Sequence, residues 1–408
     1  MPQQGPILIA STTGRPAFAR ALDESRLFPV IETTWTDAAR AVTQVQPAAV
    51  IAAASSRDEA GLAELAAMIA PRQPYLPLIA VNPEAALPDN AIPFFHAEKH
   101  PSRLVARLNA VLRIRSLHST VMRRLVPPSP ILLSDIDTSR DATVLLIGRG
   151  GAYPALSVVL GERCGVVGAL SIEAAAKHLN ARDVDGIVLG EGFTLRVIDA
   201  FLTVLAEDAR FRNLPVVVTP DGLAPSYELP HLELVAREPA DVAAIALPLV
   251  RQHAFEVHLS RTLRAIDAEG LIDARTGLLT RIAFERDFAT AVYQATEHGG
   301  ALSVARFAFD PDHPRAQFDG ARIISRLMRQ MDFGAAQEDG SVIVVFAGAD
   351  LRNADAIARR LSSVMRHTSH GTHDMRSDPS VSVATLLSND TARSLLARLH
   401  DEAHRAAS

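Results

Sequence analysis

Between residues 6 and 125, short runs that are apolar throughout alternate with longer stretches rich in Ala, Leu and Arg. Pro6–Ala10, Phe28–Thr33, Ala48–Ala54, Leu76–Val81 and Ile92–Phe95 have strand length and are bounded by Pro and polar residues. A run without polar alternation suits a strand covered on both faces, as in a parallel sheet flanked by helices. A repeating β–α pattern is therefore expected. Val126-Pro-Pro-Ser-Pro130 interrupts it, because consecutive prolines cannot continue a helix and favour an extended spacer. The cadence restarts at Ala142, with Thr143–Ile147, Cys164–Val167, Gly186–Leu189, Leu214–Thr219 and Leu232–Val235 as strands. From Asp241 to Asp267 the pattern is helical, Phe255, Leu259 and Leu263 share a face, and Gly270 marks a stop.

This rhythm divides the chain into residues 1–125, a Pro-rich linker 126–141, residues 142–253, a connecting helix 254–269 and residues 270–408. With 48% hydrophobic and 21% charged residues the composition excludes wholesale disorder. A net charge of −5, with Lys and Arg scattered, leaves no footprint for nonspecific nucleic-acid or anionic-membrane binding. Cys164 stands alone, so no intrachain disulfide forms, and runs such as Val242–Val250 fall short of the roughly 20 residues a spanning helix needs. The opening residues lack the basic-then-apolar pattern of a secretory signal, so none is expected. A soluble, cytoplasmic protein is expected.

The two β–α stretches have the five-strand length and order of a doubly wound, flavodoxin-like domain, and both resemble the receiver domains of response regulators. A receiver, by that resemblance, is phosphorylated on an Asp at the end of its third strand. An acidic pair after the first strand holds Mg²⁺, and a Lys after the fifth contacts the phosphoryl group. In the first stretch the Asp position falls on Ala53 and the acidic pair on Ser11 and Thr12, which leaves Lys99, before His100-Pro101, as the match. In the second, Gly190 stands at the acceptor, Gly148-Arg149 at the acidic pair and Arg237-Glu238-Pro239 in place of Lys-Pro. A hard divalent cation needs oxygen ligands. The expectation is two receiver-like domains without a phosphoacceptor, kept for docking and dimerisation, with Asp58 as the alternative acceptor. Gly148-Arg-Gly-Gly151 follows a strand but lacks dinucleotide-fingerprint spacing, and reads as a receiver loop.

The last third carries Asp273-Ala-Arg-Thr-Gly-Leu-Leu-Thr-Arg281 followed by Phe284. This is similar to the opening of GGDEF domains, the nucleotidyl-cyclase-like α/β domains that make cyclic di-GMP from GTP. The resemblance implies a first core strand over Ala301–Asp310, a hairpin strand over Val342–Phe346, and a closing strand and helix over Ser382–Ala384 and Leu395–Glu402. It also implies an Asp on the first strand and an acidic hairpin residue holding two Mg²⁺ against the triphosphate. Here the Asp position is Ala308, and Asp310 lies later. The signature pentapeptide becomes Glu338-Asp339-Gly340-Ser341-Val342, whose two carboxylates are expected to repel a triphosphate. The segment between Asp310 and Gly320 is shorter than the family's, and the phosphate-binding Lys position is Ala407. A pseudoenzyme that needs no metal is expected.

GGDEF cyclases also bind their product, by the same resemblance, at an Arg-x-x-Asp motif ending five residues before the signature, with a second Arg on the following helix. Arg329-Gln-Met-Asp332, the spacer Phe333–Gln337 and Arg360 reproduce that arrangement. Guanidinium groups offer paired donors to phosphate or to guanine O6 and N7, and Asp332 could accept from guanine N1 and N2 hydrogens. Arg286 or Arg306 is a candidate for a further Arg. His367, His370 and His373 with Asp374 have ligand chemistry, but their Ser, Thr and Gly neighbours read as a loop.

The reading is a cyclic di-GMP-binding effector, a homodimer acting by recruiting partner proteins. Resemblance to bacterial cell-cycle members of the family implies recruitment to a cell pole, a replication regulator and protease adaptors as partners, and regulated proteolysis. The alternatives are a ligand-independent scaffold and an active cyclase.

Overall fold

The computed structural model describes residues 5–12, 14–53, 59–84, 87–95, 100–125, 131–137, 141–224, 227–298, 300–368 and 379–407. The chain forms two compact units, one of Met1–Ala175 with Val184–Leu259, the other of Ala176–Asp183 with Ser260–Ser408. Among the described residues, no helix is long and apolar enough to cross a membrane.

The first unit contains two parallel sheets. The strands β1 (Ile7–Ser11), β2 (Val30–Thr34), β3 (Ala49–Ala53), β4 (Leu78–Val81) and β5 (Ala91–Phe94) are interleaved with α1 (Ala19–Ser25), α2 (Trp35–Val45) and α3 (Glu59–Ile69), and α4 (Pro101–Arg124) follows. Their spatial order is β2-β1-β3-β4-β5. The second set is β6 (Thr143–Ile147), α5 (Tyr153–Gly161), β7 (Gly165–Ala169), α6 (Ile172–Ala181), β8 (Gly186–Leu189), α7 (Leu195–Glu207), β9 (Val216–Val218), β10 (Leu232–Leu234) and α8 (Pro239–Asp267). Its order, β10-β9-β8-β6-β7, is the same topology counted from the other edge. In both, the first strand lies between the second and third, the flavodoxin-like arrangement. The apolar runs behave as their pattern requires: Ile7, Leu8, Ile9, Val50 and Ile51 in one sheet, and Val144, Leu145 and Leu146 in the other, are fully buried.

The helix expected from Asp241 to Asp267 is observed as α8, with Pro248 inside it. Glu269 and Gly270 take φ values of 53° and 75°, and the Gly270 N–H donates to Ala265 O at 3.0 Å. Left-handed residues of this kind satisfy a helix's last carbonyls, which explains the stop at Gly270.

In the second unit, α9 (Arg281–His298), β11 (Leu302–Ala308), α10 (Pro314–Leu327), β12 (Phe333–Ala336), β13 (Val342–Ala347), α11 (Leu351–Thr368), β14 (Ser380–Thr385) and α12 (Ala392–Ala407) follow one another. The sheet is antiparallel, in the order β12-β13-β11-β14. Strand alternation sorts its two faces. Val304, Ile343 and Val345 pack with Phe284 and Phe288 of α9 and Leu395 and Leu399 of α12. Ala305, Phe307, Val344 and Phe346 pack with Ile324 of α10 and Ala358 and Leu361 of α11.

Candidate functional site

The opening motif of the second unit is a closed turn. Asp273 Oδ2 accepts from Thr276 Oγ1 at 2.7 Å and Oδ1 from Arg275 N–H at 3.0 Å. Gly277 N–H donates back to Asp273 O at 2.8 Å, and an isolated bridge joins Ile272 to Leu279. Gly277 has φ +76°, and a Cβ there would lie 2.9 Å from Ser325 Oγ. The Asp, Thr and Gly of this motif thus shape backbone; they do no chemistry themselves.

The residues at the cyclase-like positions are engaged with one another. Ala308 ends β11 and offers no oxygen ligand from its side chain. Asp339 Oδ1 accepts from Ser341 N–H at 2.9 Å and Ser341 Oγ at 2.6 Å, while Oδ2 accepts from Arg306 Nη2 at 2.8 Å. Burial works to raise the Asp339 carboxyl, but the hydrogen bonds from Ser341 and Arg306 prevail and hold it at about 2. Glu338 is paired with Arg281. Both acids of the altered signature therefore have counter-ions, so Arg281 and Arg306 offset the charge that was expected to repel a triphosphate. Gln317 lies against the tip, where a Cβ on Gly340 would meet its Oε1 at 2.3 Å, and the Phe309 ring sits 2.2 Å from the Cβ position of Gly320. Asp310 accepts from Asp312 N–H at 2.9 Å and pairs with His313 Nδ1 at 3.1 Å. These residues do not fit a pair of Mg²⁺ ions, since one carboxylate is an alanine and the other is spent on protein donors.

The Arg-x-x-Asp residues lie at the turn from α10 into β12. The turn is closed in both directions: Asp332 N–H donates to Arg329 O at 3.0 Å, and Arg329 N–H donates to Asp332 Oδ2 at 3.3 Å. Asp332 is only 8% exposed, whereas Arg329 and Arg360 are exposed. Its Oδ1 is buried with no hydrogen-bond partner among the described residues. Burial raises the Asp332 carboxyl above its usual range, against the pull of the Arg329 N–H, the Arg329 charge, the Ala347 backbone and the Arg360 charge. Arg329 and Arg360, thirty-one positions apart in sequence, thus act electrostatically on one buried carboxylate.

At the strand ends of the parallel sheets, Ala53 closes β3 and Gly190 follows β8, its N–H donating to Ile147 O at 2.7 Å. Ser11 Oγ donates to Gly14 O at 2.7 Å, and Arg149 Nε to Gly192 O at 3.0 Å. Neither acceptor position carries an oxygen-bearing side chain. Lys99, Asp58, His370, His373 and Asp374 lie outside the described residues, as do the side chains of His367 and Ala407. Of the candidates for a further Arg, Arg306 is committed to Asp339 and Ser341, and Arg286 pairs with Asp287 at 3.0 Å.

Neither a family model nor a curated protein sequence matches the chain. Solved structures to which about a third of the chain is similar include GGDEF domains. The FimX GGDEF domain from Pseudomonas aeruginosa is 20% identical, with 34% of this chain and 93% of that chain covered and a TM-score of 0.31. The GGDEF domain of DgcB from Caulobacter crescentus, in complex with c-di-GMP, is 16% identical, with 33% and 86% covered and a TM-score of 0.29. A sensory box/GGDEF family protein from Caulobacter crescentus is 25% identical, with 33% and 97% covered and a TM-score of 0.28.

Sequence reasoning missed the parts played by Arg281, Arg306, Gln317 and Phe309. A signal existed for Arg306: it is the one charged residue on its strand, paired in register with Ile343 beside the altered signature.

Proposed function

We propose that this chain is a cyclic di-GMP-binding effector: a degenerate GGDEF domain behind two receiver-like domains without phosphoacceptors, silent as a cyclase, binding the dinucleotide through Arg329, Asp332 and Arg360. The observation that carries this reading is the Asp332 carboxylate, buried, lacking a partner at Oδ1 and set in the field of two exposed arginines. An unpaired buried acceptor is costly, and the guanine edge supplies the N–H donors that would satisfy it. The guanidinium groups would meet phosphate oxygens or guanine O6 and N7 as paired donors.

Cyclase activity is not retained in this reading, because Ala308 supplies no carboxylate and Asp339 is held by Arg306 and Ser341. The domain order resembles that of the cyclase PleD, and the combination of lost catalysis with a kept Arg-x-x-Asp resembles the cell-cycle effector PopA. By that resemblance the ligand-bound form, as a dimer, would go to a cell pole and deliver a replication regulator to protease adaptors.

Calorimetric titration of the full chain with cyclic di-GMP tests the reading. Charged hydrogen bonds are worth about 1.5–3 kcal/mol each, so Arg329→Ala should weaken binding about tenfold or more. Absence of binding to the unaltered chain would favour a ligand-independent scaffold. Turnover of GTP with Mg²⁺ would restore the cyclase reading.

A further inference from the structure

Within the first unit the two parallel sheets are joined by one side of each. The edge strand β5 and helix α4 of the first meet the edge strand β10 and helix α8 of the second. At the centre lies Arg107, fully buried, paired with Glu233 at 2.8 Å, itself 1% exposed. Arg107 ties both sheets: Nη1 donates to Pro93 O at 2.8 Å in its own domain, while Nε donates to Pro230 O across the junction. The second carboxylate oxygen of Glu233 accepts from Phe95 N–H at 3.4 Å, and Arg103 Nη2 donates to Leu232 O.

Arginines from both domains lie over the two aromatic rings at the end of β5. The guanidinium of Arg107 lies 5.4 Å from the centre of the Phe94 ring, and that of Arg237, from the other domain, 5.3 Å from that of Phe95. Gln252 Nε2 donates to the Tyr75 hydroxyl at 3.0 Å, and the Tyr75 and His118 rings stand edge-on to Phe255. Arg113 with Glu256 at 2.7 Å and Arg251 with Asp89 at 2.8 Å close the rim.

We infer that the β5–α4 and β10–α8 faces are committed to each other within one chain as a permanently closed pair, so that a second copy associates through other surfaces. Three arguments support this. Opening the junction would separate Arg107 from Glu233 and break four further hydrogen bonds and both rim ion pairs at once. Two buried charges that satisfy each other also fix register, because a displaced pairing leaves each without its partner. A signal opens a contact only through different affinity for the open and closed states, and the strand ends of these domains present Ala53 and Gly190, which take up no phosphoryl charge. The junction also engages one edge strand of each sheet, β5 and β10, removing one template for pairing with other chains.

The rim gives a direct test. In the full chain with Cys164→Ser, Asp89→Cys and Arg251→Cys are joined by a short bis-maleimide and resolved by mass. Cross-linked monomer is expected; cross-linked dimer would mean that the contact is exchanged between copies and would overturn the assignment in cis. Permanence is read from amide exchange at Phe95. Exchange should be unchanged by cyclic di-GMP, or by beryllofluoride with Mg²⁺, and faster by about tenfold or more in Glu233→Gln. Ligand-dependent exchange at Phe95 would show a regulated junction, and unchanged exchange in Glu233→Gln would show that the ion pair is not the lock. Should Glu233→Gln fail to fold, Arg107→Met with Glu233→Leu serves instead, and must keep the monomer cross-link; cross-linked dimer in that variant would overturn the assignment in cis.

Discussion

Arg306 of β11 and Asp339 of the β12–β13 turn are joined at 2.8 Å, at the tip where a cyclase-like hairpin would meet a nucleotide. Arg306 Nε also donates to Ser341 Oγ at 3.2 Å, and that hydroxyl donates to Asp339 at 2.6 Å. The three side chains form a closed set whose charges cancel. The acid at this turn thus has its counter-ion on the neighbouring strand, and the turn is closed on itself.

One consequence is a pH dependence. The Asp339 carboxyl is held at about 2, against an ordinary value of 3.8. A depressed folded-state value stabilises above the unfolded value, and the gain is lost as pH falls from near 4 through about 2. Asp339 is half exposed, so solvent screening limits the gain to under about 1 kcal/mol. Urea unfolding at neutral pH and at pH near the folded value should show Asp339→Asn destabilising in the first condition and nearly neutral in the second.

The hairpin tip also predicts a steric effect. Gly340 has φ +78°, and a Cβ would press on the Gln317 amide at 2.3–2.6 Å. Left-handed backbone costs a residue with a Cβ roughly 1–2 kcal/mol. Gly340→Ala should lower the thermal midpoint, and adding Gln317→Ala should recover the part due to contact but not the part due to φ. Full recovery would show that backbone conformation contributes nothing.

At the Arg-x-x-Asp turn the expected signature is a proton. Burial raises the Asp332 carboxyl in the free protein, whereas donors from a ligand would favour its ionised form. Binding then releases a proton once the pH falls into the range of the raised value, and affinity weakens as the pH drops through it. Calorimetry in buffers of different ionisation heat detects the release. Asp332→Asn should bind more weakly at neutral pH and lose the pH dependence; an unaltered pH profile in that variant would assign the proton to another group.

Much of this was legible in the sequence because parallel strands buried on both faces write themselves as unbroken apolar runs. Val144, Leu145 and Leu146 needed no tertiary information to be placed inside a sheet. The opening turn was legible as well, since Asp273, Thr276 and Gly277 act on their own backbone. What the residues alone did not give was pairing over distance. Glu338 and Asp339 were legible as acids but not as compensated acids, because Arg281 is 57 positions away from Glu338 and Arg306 is 33 from Asp339. Burial of Asp332 was equally hidden, as a turn residue in a polar motif carries no sign of how deeply it is set. Arg107 and Glu233, 126 positions apart, carry no local sign of each other in the sequence.

That buried pair yields the sharpest energetic prediction. Removing one partner leaves the other charged in the interior, which costs about 3–5 kcal/mol, whereas replacing both with apolar residues of similar size is often neutral or stabilising. Glu233→Leu alone should therefore destabilise the first unit severely, Arg107→Met alone comparably, and the two together far less than their sum. Burial lowers the Arg107 pKa and raises that of Glu233, with the partner's charge opposing each shift, so protonating Glu233 in acid imitates the single replacement by leaving Arg107 unpaired. Chemical denaturation of the four chains supplies the double-mutant cycle. A large favourable coupling would place the stability of the junction in the match between the two residues; additive effects would place it in the surrounding rings of Phe94, Phe95 and Phe255.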